Sequence, residues 1–186
     1  MTFSPSLIGQ HPHVERGLEL YETPPLAVEA LLRAEVVPLD VWECAAGRGA
    51  IVKVLRHAGH IVTASDVTDY GFPLDFQADF LTTTEAPEDL EAIVTNPPYK
   101  QAQQFVEHAL ELVPRVIMLL RFAFLESSRR TEILEHRGLA RVYVFRKRLP
   151  MMHREGWTGP RARSAIAYMW AVWDREHVGP ATVRRI

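Results

Sequence analysis

The sequence predicts an α/β domain whose sheet is mostly parallel, with one antiparallel strand near the C-terminus. Three observations carry that expectation. Short apolar runs of strand character alternate with amphipathic stretches of helical period along most of the chain, and helices between strands imply parallel pairing. A turn with two glycines follows the first apolar run, as where a buried strand passes into a helix. The last two strand-like runs are joined by a loop with no helical signal, so one of them reverses direction within the sheet.

Each element has its own signal. Pro24 and Pro25 follow Thr23, a good N-cap, and open a helix with Leu26, Ala27, Ala30, Leu31 and Ala34 at helical spacing. Pro38 closes it. Leu39 to Glu43 reads as a buried strand, and the glycine turn leads into a helix from Ala50 to Ala58 that stops at Gly59. His60 to Ala64 is the next strand. A loop rich in Asp, Gly and Pro precedes a strand at Ala92 to Thr95, and a helix follows at Gln101 to Leu112, with Phe105, Ala109 and Leu112 on one face. After Pro114, Val116 to Leu120 is the most apolar strand, Ser127 to His136 a helix, Ala140 to Phe145 a strand and Ser164 to Val172 the last strand.

At 186 residues and 47% hydrophobic content the chain fits one domain over 1–186, with residues 1–20 as an N-terminal extension. No apolar run reaches the roughly 18 to 20 residues that a membrane span needs. Met1 to His13 lacks the features of a secretory signal, and the single Cys cannot form an internal disulfide. A soluble, cytoplasmic protein without membrane or metal partners is expected. The net charge of -2 hides an asymmetry: Arg121 to Arg163 holds eleven basic residues against four acidic ones, and everything before it is acidic. Such a segment suits contact with phosphates, although arginine-rich surfaces also occur without it.

Chemistry is concentrated where strands end. In Val41-Trp42-Glu43-Cys44-Ala45-Ala46-Gly47-Arg48-Gly49-Ala50, Gly47 and Gly49 let the backbone approach a ligand and free amides at a helix start. Glu43 beside that turn disfavours a phosphate and favours a cationic group, such as the amino group of a methionine moiety. Asp66, at the end of the second strand, suits a ribose diol or the cap of a turn. Asp79-Phe80 offers a carboxylate and an aromatic ring to an adenine.

The strongest signal is Ala92-Ile93-Val94-Thr95-Asn96-Pro97-Pro98-Tyr99, an apolar strand that ends in Asn-Pro-Pro-Tyr. Proline fixes its own φ and restricts its predecessor, so Asn96 and the Pro97 carbonyl become rigid acceptors. Two acceptors aimed at one amino group orient its nitrogen lone pair and stabilise the positive charge it gains in a displacement. Tyr99 would stack on the flat ring that carries that group.

With these motifs the chain resembles the class I S-adenosylmethionine-dependent methyltransferases of the amino-group type, the N6-adenine and N4-cytosine nucleic-acid enzymes, over Tyr21 to Trp173. The resemblance implies a Rossmann-like sheet and S-adenosylmethionine as cofactor. It further implies that Tyr21-Glu22-Thr23-Pro24 closes over the methionine end, and that Glu43, Ala45, Gly47 and Gly49 form the glycine-turn motif. Ala45 stands where many members have Gly or a small polar residue. Asp66 would hold the ribose, Val67 and Phe80 would flank the adenine, Asp79 would bind its amino group, and Asn96, Pro97, Pro98 and Tyr99 would be the catalytic tetrapeptide. Restriction-type relatives carry a separate target-recognition domain, for which no counterpart is expected in this sequence, and the loop Arg146 to Arg161 is the candidate reader. In the family this loop packs beside the target base, so Arg146, Lys147, Arg148, His153 and Trp157 are candidate substrate contacts. The expected substrate is N6 of adenine in nucleic acid, DNA ahead of RNA. A protein glutamine amide is the alternative, and a cofactor-binding module without catalysis is a remote one. A nicotinamide oxidoreductase would need three spaced glycines and has no use for Asn-Pro-Pro-Tyr.

Overall fold

A computed structural model of the chain describes residues 20–151 and 166–186. Its strands are β1 (Asp40–Glu43), β2 (Ile61–Asp66), β3 (Phe76–Gln77), β4 (Ala92–Thr95), β5 (Arg115–Arg121), β6 (Leu139–Val144), β7 (Tyr168–Asp174) and β8 (Thr182–Arg185). They form one sheet in the order β3-β2-β1-β4-β5-β7-β6-β8. Among the described residues only β7 runs against its neighbours, antiparallel to both β5 and β6, and β8 pairs parallel with β6. The expected fold class holds: a mostly parallel α/β sheet with one reversed strand near the C-terminus. Because β1, β2, β4, β5, β6 and β8 point the same way, Glu43, Asp66, Thr95, Arg121, Val144 and Arg185 all end at one edge, where Tyr168 of β7 begins.

Alternation along the central strands sends side chains into two cores. On one face, α1 (Pro25–Ala34) and α2 (Ala50–His57) bury Ala27, Val28, Leu31, Ile51, Val52 and Leu55 against Val41, Tyr143, Trp170 and Val172. On the other, α3 (Ala102–Leu112) buries Phe105, Val106 and Ala109 against Trp42, Ile93, Met118 and Trp173. The fully buried indoles of Trp42, Trp170 and Trp173 would each strand an N–H, and each finds an acceptor. Trp42 Nε1 donates to Ser65 Oγ (2.8 Å), Trp170 to the Ala27 carbonyl (2.9 Å) and Trp173 to the Ile133 carbonyl (2.7 Å).

Four expectations need correction. The helix expected over Ser127–His136 is a 3₁₀ turn at Ser128–Arg130 and a single π turn at Glu132–His136. The Ser127 hydroxyl accepts from the Arg129 amide and bends the start, while the Trp173 indole takes the Ile133 carbonyl, an α-helical acceptor. The strand expected over Ser164–Val172 runs from Tyr168 to Asp174; Ser164 lies outside the described residues. That strand is not the last, because β8 adds an outer strand with no buried residue. Finally, Thr23 does not cap α1: Pro24 occupies the N-cap without a side-chain bond, and the Thr23 hydroxyl is drawn elsewhere.

Candidate functional site

Sequence places a short carboxylate or amide at the end of each of three adjacent parallel strands, and the sheet gathers them. Glu43 closes β1, Asp66 closes β2 and Asn96 follows β4. The glycine turn wraps around the first two. Gly47 at φ +53° and Gly49 at φ +74° take left-handed backbone that other residues rarely adopt. A Cβ on Gly47 would lie 2.7 Å from Leu20 Cδ1, and one on Gly49 would overlap the Phe72 ring. The close approach at Gly49 is therefore to the protein's own phenylalanine.

Asp66 anchors this turn. Its two carboxylate oxygens accept from the Gly47 amide (2.8 Å) and the Thr68 amide (2.9 Å), so the turn-capping role that sequence left open is realised. The carboxylate also faces a cleft of about 360 Å³, within the usual range of small-molecule sites. Tyr21, Ala45, Val67, Asp79, Phe80, Asn96 and Pro98 line that cleft as well. A smaller hollow of about 20 Å³ lies over the turn, walled by Glu43, Gly47, Thr23 and Asn96. The two hollows share Leu20, Tyr21, Ala45 and Asn96.

Glu43 is 1% exposed and accepts a 3.1 Å bond from the Ala45 amide, beside the Thr95 hydroxyl. Burial pushes its pKa from 4.5 up to about 8, and the Asp66 charge adds to the rise. The carboxyl is mostly protonated at neutral pH. Asp79 is exposed and uses one oxygen to accept the Leu81 amide (3.1 Å), which starts the short turn that carries Phe80. Phe80 is 2% exposed and edge-on to Trp42 and His108, so it is chiefly a floor of the cleft.

At the fourth strand end, the Asn96 Nδ2 donates to the Tyr21 carbonyl (3.0 Å) and to the Thr23 hydroxyl (3.1 Å). Its Oδ1 is buried without a hydrogen-bond partner. Pro97 is buried, and the Pro98 carbonyl accepts the Gln101 amide (3.0 Å) to begin the turn into α3. Tyr99 is packed against Tyr21 (centroids 4.6 Å apart) and Tyr168 (5.8 Å), with the Arg121 guanidinium 4.2 Å over its ring. Desolvation holds its hydroxyl neutral, well above the usual phenol range. Arg121 and Tyr168 were not among the sequence candidates. Their signal was positional: Arg121 ends an apolar strand and Tyr168 opens one, each with a side chain able to contact a ring.

Of the remaining candidates, Pro24 opens α1 behind Thr23, and Arg146, Lys147 and Arg148 are exposed just beyond β6 at the same edge as Asn96. His153 and Trp157 lie outside the described residues. Among the described residues no group of three His, Cys, Asp or Glu side chains could hold a metal ion, and no helix is long and apolar enough to cross a membrane.

The sequence matches no protein-family profile and no curated protein. Solved structures do match the fold. A provisionally assigned RNA methyltransferase from Pyrococcus horikoshii superposes with a TM-score of 0.62 at 15% identity, over 84% of this chain and 87% of that one. The chain shares its α/β fold with solved methyltransferases. The 23S rRNA methyltransferase ErmE aligns at TM-score 0.53 and 18% identity, over 84% of this chain and 70% of its own. A provisionally assigned haemolysin from Lactococcus lactis aligns at 0.57 and 10% identity, over 86% and 89%. These likenesses concern architecture, and the chemistry must be argued from the site.

Proposed function

We propose that the chain transfers a methyl group from S-adenosylmethionine to an exocyclic amino nitrogen of a nucleic-acid base, N6 of adenine in the first instance. The observation that carries this reading is the Asn96 amide: its nitrogen is used twice by the protein, and its buried oxygen has no partner. A buried acceptor without a donor is costly unless a ligand supplies one, and an amino group is the donor that fits. The pocket residues fit the cofactor in kind: Glu43 walls the small hollow over the glycine turn and offers a carboxyl to an ammonium, and Asp66 and Asp79 face the larger cleft. When bound, that cofactor supplies an electrophilic methyl on a positively charged sulfur and departs as a neutral thioether. Asn96 Oδ1 would accept one amino hydrogen, turn the lone pair toward the methyl and oppose the charge that builds on nitrogen. The nitrogen sheds its extra proton to solvent. Tyr99 would stack on the base once Arg121 withdraws from its ring.

Nucleic acid ranks ahead of a protein amide because of the basic residues at this edge, Arg121, Arg146, Lys147 and Arg148. Of the structural likenesses, two carry RNA methyltransferase names and a third is the modification subunit of a provisionally assigned type I restriction enzyme from Vibrio vulnificus, so they do not rank DNA against RNA. Radiolabelled S-adenosylmethionine incubated with separate pools of DNA, RNA and protein, followed by digestion of the labelled polymer, identifies polymer and atom together. Asn96→Ala should lower kcat by roughly 10² to 10³, the range for one preorganised polar contact, with little change in cofactor affinity. Wild-type single-turnover rates in that variant would exclude the amino-group mechanism.

A further inference from the structure

The two edges of the sheet treat their cations differently. At the edge where β5 and β6 begin, Arg115 pairs with Asp174 (2.9 Å), Arg137 with Glu111 (2.7 Å) and Arg141 with Glu35. Arg175, at the same edge, donates to the Leu110 and Val113 carbonyls. At the opposite edge Arg146 donates to the Arg185 carbonyl (3.4 Å) and Arg184 lies 5.9 Å over the Tyr143 ring, but no carboxylate pairs with the cations there among the described residues. Among the described residues, no ion pair involves Arg121, Arg146, Lys147, Arg148, Arg184 or Arg185.

The strand ends that carry or precede these six residues are in line. Register places Arg121 opposite Tyr168, Val144 opposite Met169, and Arg185 opposite Val144, so the ends of β5, β6 and β8 lie within one residue of a common level. The strand order β5-β7-β6-β8 makes three spacings, about 14 Å. In a stacked strand with a rise of about 3.4 Å that length carries about four phosphates. β8 itself has no buried residue, and the Arg146 amide donates to the Ile186 carbonyl (2.8 Å), tying the loop after β6 to the end of β8. At the inner end, Arg121 sits on Tyr99 with its Nε buried and unbonded. Of the acidic residues near this edge, Glu43, Asp66 and Asp79 belong to the other side of Asn96, at β1, β2 and the turn after β3, whereas Glu126 closes the 3₁₀ turn that follows Arg121.

We propose that Arg121, Arg146, Lys147, Arg148, Arg184 and Arg185 form a ledge for the phosphate backbone of one nucleic-acid strand, running outward from Tyr99 to the C-terminal strand β8. This rests on the proposed function and deepens it by giving its polymer a path, and it assigns β8 a role in substrate binding. Arg121 is the inner contact: a base that stacks on Tyr99 displaces the guanidinium from the ring, and its own phosphate receives it. The outer end is set by Arg184 and Arg185, which project to alternate faces of an exposed strand and can follow a backbone over the sheet edge.

Fluorescence anisotropy of a labelled 20-nucleotide single strand, DNA and RNA in separate arms, across a potassium chloride series tests the ledge without cofactor. Removing one cation that neutralises a phosphate should reduce the logarithmic salt slope by about 0.7. The double variant Arg184→Gln/Arg185→Gln should flatten the slope by about 1.4 with an unchanged thermal midpoint, and Arg121→Gln should flatten it by about 0.7. Arg184→Lys/Arg185→Lys should restore the slope, and Arg33→Gln at the other edge should leave it alone. A wild-type slope in the Gln double variant overturns the ledge, as does tighter binding to phosphatidylserine vesicles than to either strand. A chain that binds strands through these residues but transfers no methyl retains the ledge and loses the methyl-transfer reading. A wild-type chain that binds neither strand overturns the ledge and the nucleic-acid substrate together.

Discussion

A side-chain amide can be turned end for end with almost no steric consequence, so its direction has to come from its partners. For Asn96 the deciding partner is the Tyr21 carbonyl, which only accepts and therefore fixes Nδ2 toward itself. The sequence placed an amide at this strand end; it could not show that residues 75 and 73 positions away would hold its nitrogen. Thr23 was legible as a helix cap for the same reason it serves Asn96, because a short hydroxyl next to a helix start can go either way. Glu43 is the second residue whose state only the fold reveals. Its carboxyl has a pKa of about 8 in the fold against 4.5 as the unperturbed value, so the folded chain binds the extra proton between those values. Stability from that proton is fully present below pH 4.5 and is lost as pH rises through about 8. Glu43→Gln keeps the neutral shape at every pH. It should be progressively more stable than wild type as pH rises, by up to about 5 kcal/mol at pH 8, read from denaturant titrations at pH 5 and pH 8. An equal difference at both values would mean that the carboxyl is not held neutral by burial.

At the scale of elements, the central strands and the three α-helices were readable because each satisfies its own pattern: continuous apolar runs such as Val116–Leu120, and helical spacing in Phe105 and Ala109. The elements that escaped have no such pattern. β3 is two residues long and half-exposed, and β8 is wholly exposed, so neither carries an apolar alternation. The π turn at Glu132–His136 escaped for a different reason. Its sequence suits a helix, but a distant indole competes for the Ile133 carbonyl. Trp173→Phe would keep most of the apolar filling and remove that donor. The variant should lose about 1 to 3 kcal/mol of stability, the cost of a buried acceptor left without its bond. Denaturant unfolding measures the loss, and hydrogen exchange over residues 132–138 should report the local rearrangement that follows when the indole no longer holds the carbonyl. Unaltered stability would show that the carbonyl finds a new donor without penalty, and that the turn owes its width to something else.

Over the whole molecule, the candidate cofactor pocket draws on the ends of β1, β2 and β4 and on the segment before α1, so a ligand that fills it ties together parts of the sheet that the chain connects only through loops. Binding to the folded state alone stabilises by RT ln(1 + [L]/Kd), which is about 2.7 kcal/mol at a concentration of about 100 Kd. For a chain of this size that is a rise of roughly 5 to 10 °C in the thermal midpoint. The rise should depend on pH through Glu43. An ammonium group binds the carboxylate and not the protonated acid, so binding must first remove a proton held with a pKa of about 8. The carboxylate fraction of the empty site falls about fiftyfold from pH 8 to pH 6, and the apparent affinity for S-adenosylmethionine or S-adenosylhomocysteine should fall with it. A concentration of about 100 Kd at pH 8 then becomes about 2 Kd at pH 6, where the same expression gives roughly 0.6 kcal/mol and a rise of only about 1 to 3 °C. Glu43→Gln removes the titration, so its shift should be small and equal at the two pH values. Gly47→Val should abolish the shift at both, because it forces a branched side chain onto left-handed backbone 2.7 Å from Leu20 and into the hollow over the turn. If wild type shows equal midpoint shifts at pH 6 and pH 8, Glu43 does not meet its ligand as a carboxylate. If Gly47→Val retains the full shift, the ligand lies elsewhere on the sheet edge.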